Sequence, residues 1–255
     1  MTETIGTDTA NPTTRYANAP IMEAILEVSV LRTEPISLEE LSNVIEIGED
    51  YSERIALMVA SGQMSVGKQV SASASSHQIG YQFVSKDKMR VVHCKTDGLA
   101  FSRLPPYTEW SQVFKEFKLH WACYVKNVMP DTVTQVAVRY INRFDLPGPR
   151  AELNEYFRTY PEVSTDIRDD LIGFMNQLQI PQPDIKAHAI ITQARVAPPT
   201  EGVISVLLDI AITMPLNVKA TEDAILEPMK ALRQRKNQLF EACIQPATRG
   251  LINQE

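Results

Sequence analysis

The sequence predicts an α+β protein: a long antiparallel sheet with helices packed mainly on one face. Three observations carry that reading. Two segments, 19–30 and 136–147, alternate apolar and polar residues as half-buried strands do. A stripe of large apolar side chains then recurs at helical spacing after Pro105-Pro106. Finally, the order strand–helix–three strands–long helix is met twice, so an internal pseudo-repeat of two βαβββα-like halves is expected.

The elements follow in order. In strand 20–31, Met22, Ala24, Leu26, Val28 and Val30 share one apolar face, while Glu23 and Glu27 share the other. Ser37 and Glu40 form a capping box ahead of Leu38, Leu41, Val44 and Ile45, which predicts a short helix. Residues 53–60 fit a strand or the end of a helical region. The Ser-, Gly- and Gln-rich stretch 61–78 reads as a loop or a weak edge strand. Short strands are expected at 80–84, 89–94 and 99–103, with turns at Lys86-Asp87 and Asp97-Gly98. Trp110, Phe114, Phe117, Trp121 and Val125 mark a helix over 108–128.

In the second half, strand 133–146 buries Val136, Val138, Tyr140 and Phe144 and turns Arg139 and Arg143 the other way. It stops at Pro147-Gly148-Pro149, and a short helix is expected at 151–159. Residues 171–180 fit a strand or a helix. A turn at Pro181–Asp184 leads into strand 185–196, and strand 203–214 sets Ile204, Val206, Leu208, Ile210 and Ile212 against Ser205, Asp209 and Thr213. A long helix closes the half over 221–243, with Pro228 in its first turns or at a kink. The expected organisation is a disordered tail over 1–15 and one domain over 16–255, with halves at 16–130 and 131–250.

Composition bounds the function. The chain has 255 residues, 44% of them hydrophobic and 22% charged, which are globular values. A net charge of −6 argues against a general binder of nucleic-acid backbone, which needs a basic stripe. Cys94, Cys123 and Cys243 are odd in number and far apart, so all three are expected reduced and buried. Residues 1–15 have neither a basic n-region nor an apolar h-region, and no run approaches the length of a membrane span. A cytoplasmic protein without a membrane partner is the expectation.

Several short motifs together resemble a known family. Ala19-Pro-Ile-Met-Glu-Ala-Ile25, Gly80-Tyr-Gln-Phe83, Phe101-Ser-Arg-Leu-Pro-Pro-Tyr107, Trp110, Arg139-Tyr-Ile-Asn-Arg143 and Leu239-Phe-Glu241 occur in that order, from about residue 16 to the final helix. In this they are similar to the sporadically distributed bacterial family usually called TIGR04255. The resemblance implies no established chemistry. It implies an accessory bacterial protein, of the kind found in mobile or defence-type gene clusters.

A search for catalytic constellations finds none. His77, His93, His120 and His188 are scattered, and a lone helical histidine such as His120 is more often packed or exposed than a ligand. His93 and Cys94 are adjacent on a strand and so point to opposite faces, which counts against a nucleophile pair. No metal and no cofactor are expected. Gly62-Gln-Met-Ser-Val-Gly67-Lys68 matches the GxxxxGK part of a phosphate-binding loop. Gln69, however, stands where that loop carries a metal-binding hydroxyl, and the Ser/Ala run after it is a poor helix start.

Two surface features complete the reading. Lys230, Arg233, Arg235 and Lys236 lie on the last helix, where a solvated face is the simpler account than nucleic-acid contact. Glu23 and Glu27 have the same four-residue spacing as Arg139 and Arg143. If their strands are antiparallel neighbours, a register that sets Glu23 on Arg143 also sets Glu27 on Arg139. Ser205 and Asp209 are expected to open onto that same face, and Asn142 to point toward the helices and find a buried partner. The face is either a solvated surface or a recognition surface. The functional expectation is a non-enzymatic interaction or sensor subunit that binds a protein partner through its sheet or helix surface, with homo-oligomer formation left open. The alternative is a nucleotide-dependent factor or enzyme that uses Gly62, Gly67 and Lys68.

Overall fold

Among the described residues, nine strands form one antiparallel sheet. The computed structural model describes residues 15–66, 70–107, 109–148, 152–164, 166 and 172–253. All but Arg15 of the expected tail therefore lies outside the described residues. The strands are β1 (Ile21–Leu31), β2 (Tyr51–Val66), β3 (Val70–Ser85), β4 (Arg90–Lys95), β5 (Gly98–Arg103), β6 (Thr132–Pro147), β7 (Met175–Gln182), β8 (Ala187–Val196) and β9 (Val203–Lys219). Their order across the sheet is β2-β3-β4-β5-β1-β6-β9-β8-β7. The helices are α1 (Leu38–Ser42), α2 (Trp110–Val128), α3 (Leu153–Tyr156), α4 (Leu226–Cys243) and α5 (Pro246–Asn253).

The expected repeat is visible in the strand order. Reading outward from β1 gives β5, β4 and β3; reading outward from β6 gives β9, β8 and β7. The first half carries β2 in addition. Residues 53–60 are thus strand rather than helix end, and the stretch read as a loop or weak edge strand is the far part of a long β2–β3 hairpin. Residues 171–180 resolve as β7, from Met175 onward.

By contacts the chain divides into two units: 23–138 with 213–229, and residues up to 22 with 139–212 and 230 onward. In the first unit, Ala24, Leu26, Val28 and Val30 of β1 are buried, as alternation requires. Leu26 stands opposite Phe101 and Val28 opposite Leu99 on β5, and Val92 and Cys94 of β4 continue that face. Helix α2 covers it with Trp110, Val113, Phe114, Phe117, Trp121 and Tyr124, all buried. Its polar tips are satisfied: Trp121 Nε1 donates to the Thr221 carbonyl (3.1 Å) and the Tyr124 hydroxyl to the Lys95 carbonyl (2.8 Å).

The Asp97-Gly98 turn requires its glycine. Gly98 has φ +153°, and a Cβ there would lie 2.1 Å from the Val28 carbonyl oxygen. The capping box at α1 is complete, with Ser37 and Glu40 each accepting from the other's backbone N–H. That bond and the Arg32 guanidinium hold the Glu40 carboxyl down to about 2.

In the second unit, α4 packs on the Tyr140 and Phe144 face of β6. The Phe144 ring lies 6.3 Å from Phe240 and meets Phe157 edge-on at 5.4 Å. Asn142 is buried on that face, as expected, and donates to the carbonyls of Leu208 (3.0 Å) and Tyr140 (3.3 Å). Pro228 falls in the first turn of α4, where a missing N–H costs nothing. The chain beyond Cys243 forms α5, whose Thr248 hydroxyl donates to the Tyr156 carbonyl.

Candidate functional site

The period of two along β6 turns Arg139 and Arg143 away from the core. Arg139 grips Asp209 of β9 with a fork: Nε donates to Oδ1 at 2.9 Å and Nη2 to Oδ2 at 2.6 Å. Arg143 donates from Nε to Asp145 Oδ1 (3.0 Å), and from Nη2 to Ser205 Oγ (3.0 Å) and to the Ala197 carbonyl (3.2 Å). The Ser205 hydroxyl, itself buried, closes the group by donating to Asp145 Oδ1. Arginines 139 and 143 and residues 205 and 209 are each four apart, so one antiparallel register serves both contacts (139 + 209 = 143 + 205 = 348).

That logic had been expected of β1, and there it needs correction. Glu27 accepts from Lys95 Nζ at 2.5 Å rather than from Arg139, and Arg143 is committed to Asp145 and Ser205 rather than to Glu23. The backbone gives the reason. β1 and β6 are antiparallel neighbours, but Asp131 N–H bonds Leu31 O (3.0 Å) and Arg143 N–H bonds Pro20 O (2.8 Å). Matching Glu27 with Arg139 would instead have set Leu31 against Gln135 and Pro20 against Leu146. Glu23 and Glu27 remain close enough to His93 to favour its charged form, although burial and Lys95 win and lower its pKa.

Sequence reasoning missed a second polar cluster. His120, on α2, lies with its Nε2 2.9 Å from the Tyr51 hydroxyl, and its ring is 5.4 Å from Tyr51 and 5.3 Å from Phe101. Burial, helped by the Arg90 guanidinium and opposed by Asp50, pushes the imidazole down to about 4. It is therefore neutral at pH 7 and can accept the tyrosine proton as a hydrogen bond. Arg90 stacks over the Tyr51 ring at 5.6 Å and lies 3.6 Å from Asp87 and 3.8 Å from Asp50. The only sequence signal was the position of His120 between Phe117 and Trp121 on the covered stripe.

The remaining sequence candidates are dispersed. Gly62 lies inside β2, while Gly67 and Lys68 fall outside the described residues. The elements that flank them are the two strands of a hairpin, whereas a phosphate-binding loop runs from strand into helix. Of the basic cluster, Arg235 bonds Asp184 and Gln182, and Lys236 lies 4.0 Å above the Tyr140 ring. Cys94 and Cys243 are buried as expected, but Cys123 is exposed: it falls on the outer side of α2. Among the described residues no group of three or more His, Cys, Asp and Glu could hold a metal, and no helix is long and apolar enough to cross a membrane. A shallow hollow lined by Ser42, Ile45, Glu46 and Arg54 coincides with neither polar cluster.

No protein-family model matches the chain, and no curated protein matches it.

Proposed function

We propose that the protein is a non-enzymatic interaction or sensor subunit of a bacterial accessory system, and that it binds a protein partner through the charged face of β6 and β9. The observation that carries this reading is the Arg139–Asp209 fork beside the Arg143–Ser205–Asp145 group. These side chains are held in fixed geometry by mutual hydrogen bonds, yet the Arg139 side chain stays 48% exposed. Exposed pairs of this kind add only ~0–1 kcal/mol to stability. What they supply instead is a preset pattern of charge, which steers and orients an oppositely patterned surface. The family resemblance supports the accessory role.

The test is a charge swap. Wild type, Arg139→Glu, Asp209→Arg and the double swap are immobilised and exposed to a lysate of the native host. The double swap restores the internal pair but reverses the pattern offered to a partner. Retention of a specific host protein by wild type alone is the expected result. Equal retention by the double swap would mean that the pair is merely structural. A magnesium-dependent rise in melting temperature with a nucleotide, abolished by Lys68→Ala, would overturn the proposal in favour of the nucleotide-dependent alternative.

A further inference from the structure

The β2–β3 hairpin outruns the sheet that it belongs to. β4 pairs with β3 only from Gly80 to Val84, whereas β2 pairs with β3 along its whole length, from Tyr51↔Ser85 to Val66↔Val70. About half of the hairpin is therefore a two-stranded ribbon, an arrangement only marginally stable by itself in water. β2 ends the sheet order, so beyond Tyr51 no strand flanks its outer edge among the described residues. The backbone N–H and C=O groups along such an edge form a template for another strand.

Natural edges are usually guarded by lysine, proline or an inward charge. This one is not: from Ile55 to Val66 there is no charged residue and no proline. It also displays apolar side chains. Met58 is 53% exposed, and Ile55 and Val59 are exposed beside it.

We propose that β2 pairs edge to edge with β2 of a second copy of this chain, antiparallel about a two-fold axis at Met58. A two-fold contact sets a surface against itself, so it tolerates no charged residue facing its own copy. With the axis at Met58, Arg54 falls opposite Gly62 and Glu53 opposite Gln63 (54 + 62 = 53 + 63 = 116), so no like charges meet. The exposed Met58 side chains of the two copies meet at the centre. A ladder over residues 54–62 supplies about eight to ten hydrogen bonds, within the usual range for a specific interface. This pairing does not depend on the charged face of β6 and β9, which stays available.

Sedimentation of the full chain over a concentration series tests the proposal. Wild type is expected to move to twice the chain mass, and Met58→Lys with Ala60→Lys, both at exposed positions of the same edge, to return it to the single mass. A wild type that keeps the single mass throughout overturns the proposal and leaves the edge to another protein's strand. A lysine variant that still dimerises overturns it as well. Hydrogen exchange on wild type alone is independent of how the variant folds. Amides of residues 54–62 should exchange more slowly as concentration rises, and unchanged rates in a sample of doubled mass would place the contact elsewhere.

Discussion

The two long helices perform the same task with different chemistry. Both α2 and α4 cover the apolar face of sheet strands, and each carries one basic residue in among the covering side chains. On α2 it is His120, hydrogen-bonded to the Tyr51 hydroxyl; on α4 it is Lys236, set over the face of the Tyr140 ring. The imidazole can discard its charge, and burial makes it do so, near pH 4. The ammonium is pushed down to about 7 by burial and by Arg233, with Glu241 opposing. The Tyr140 ring also opposes, because a cation over an aromatic face is attracted to it. A tyrosine can thus shelter a basic residue in two ways: by its hydroxyl when the residue is neutral, by its ring when it is charged.

The largest expected effect concerns the apolar part of the comparison. Trp121→Ala on α2 removes a fully buried ring and the hydrogen bond to Thr221, and should cost about 3–5 kcal/mol in chemical denaturation. A loss below ~1 kcal/mol would mean that α2 is not the main cover of its unit.

A smaller effect is expected from His120. Its folded pKa, about 4, lies below the ordinary 6.5, so between those values the unfolded chain binds more protons. Stability should therefore be complete above pH 6.5 and decline toward pH 4, by at most ~3 kcal/mol from this group. His120→Gln should flatten that acid limb; an unchanged slope would place the histidine in contact with water.

Lys236 should give the most ambiguous signal, which sharpens the comparison most. With a folded pKa of about 7 against an ordinary 10.5, the unfolded state again holds the extra proton. Stability relative to Lys236→Met should rise between pH 7 and 10.5. The difference between variants is the useful quantity, because the raised thiols and phenols of Cys94, Tyr51 and Tyr124 act in the opposite direction at high pH. A flat difference curve would show that the Tyr140 ring keeps the ammonium charged throughout.

These pairs also mark the limit of what was legible beforehand. The apolar stripes of α2, β1, β6 and β9 were readable because burial repeats at the period of the element, and every residue placed on the helix-covered stripe of β9 is buried. The two arginines of β6 were correctly turned outward, and their four-residue spacing does find an equal spacing across an antiparallel neighbour. The neighbour is β9 instead of β1, because a strand has two sides and spacing alone does not choose between them. His120 and Lys236 escaped since their environment comes from residues 69 and 96 positions away. The hairpin over 61–78 reads as a loop or weak edge strand because serine, alanine and glycine are poor strand formers. Helix α5 lies beyond the last expected element; it opens on Pro246, and proline is favoured at a first helical position.

The register between β1 and β5 bears on how the chain is made. Ala24 pairs with Arg103 and Ser29 with Gly98, partners separated by 79 and 69 residues (103 − 24; 98 − 29). β1 leaves the ribosome first, but the strand that completes this side of it is translated last among its sheet neighbours in that half. At roughly 5–20 residues per second, Leu26 and Val28 wait some ~4–16 s for Phe101 and Leu99. During that interval an apolar strand has no ladder to join, while the local hairpins β2–β3 and β4–β5 close behind it on a microsecond scale, about 1–10 μs each. The strand at the centre of the finished sheet is in this way made first and joined only after the hairpins of its half have closed.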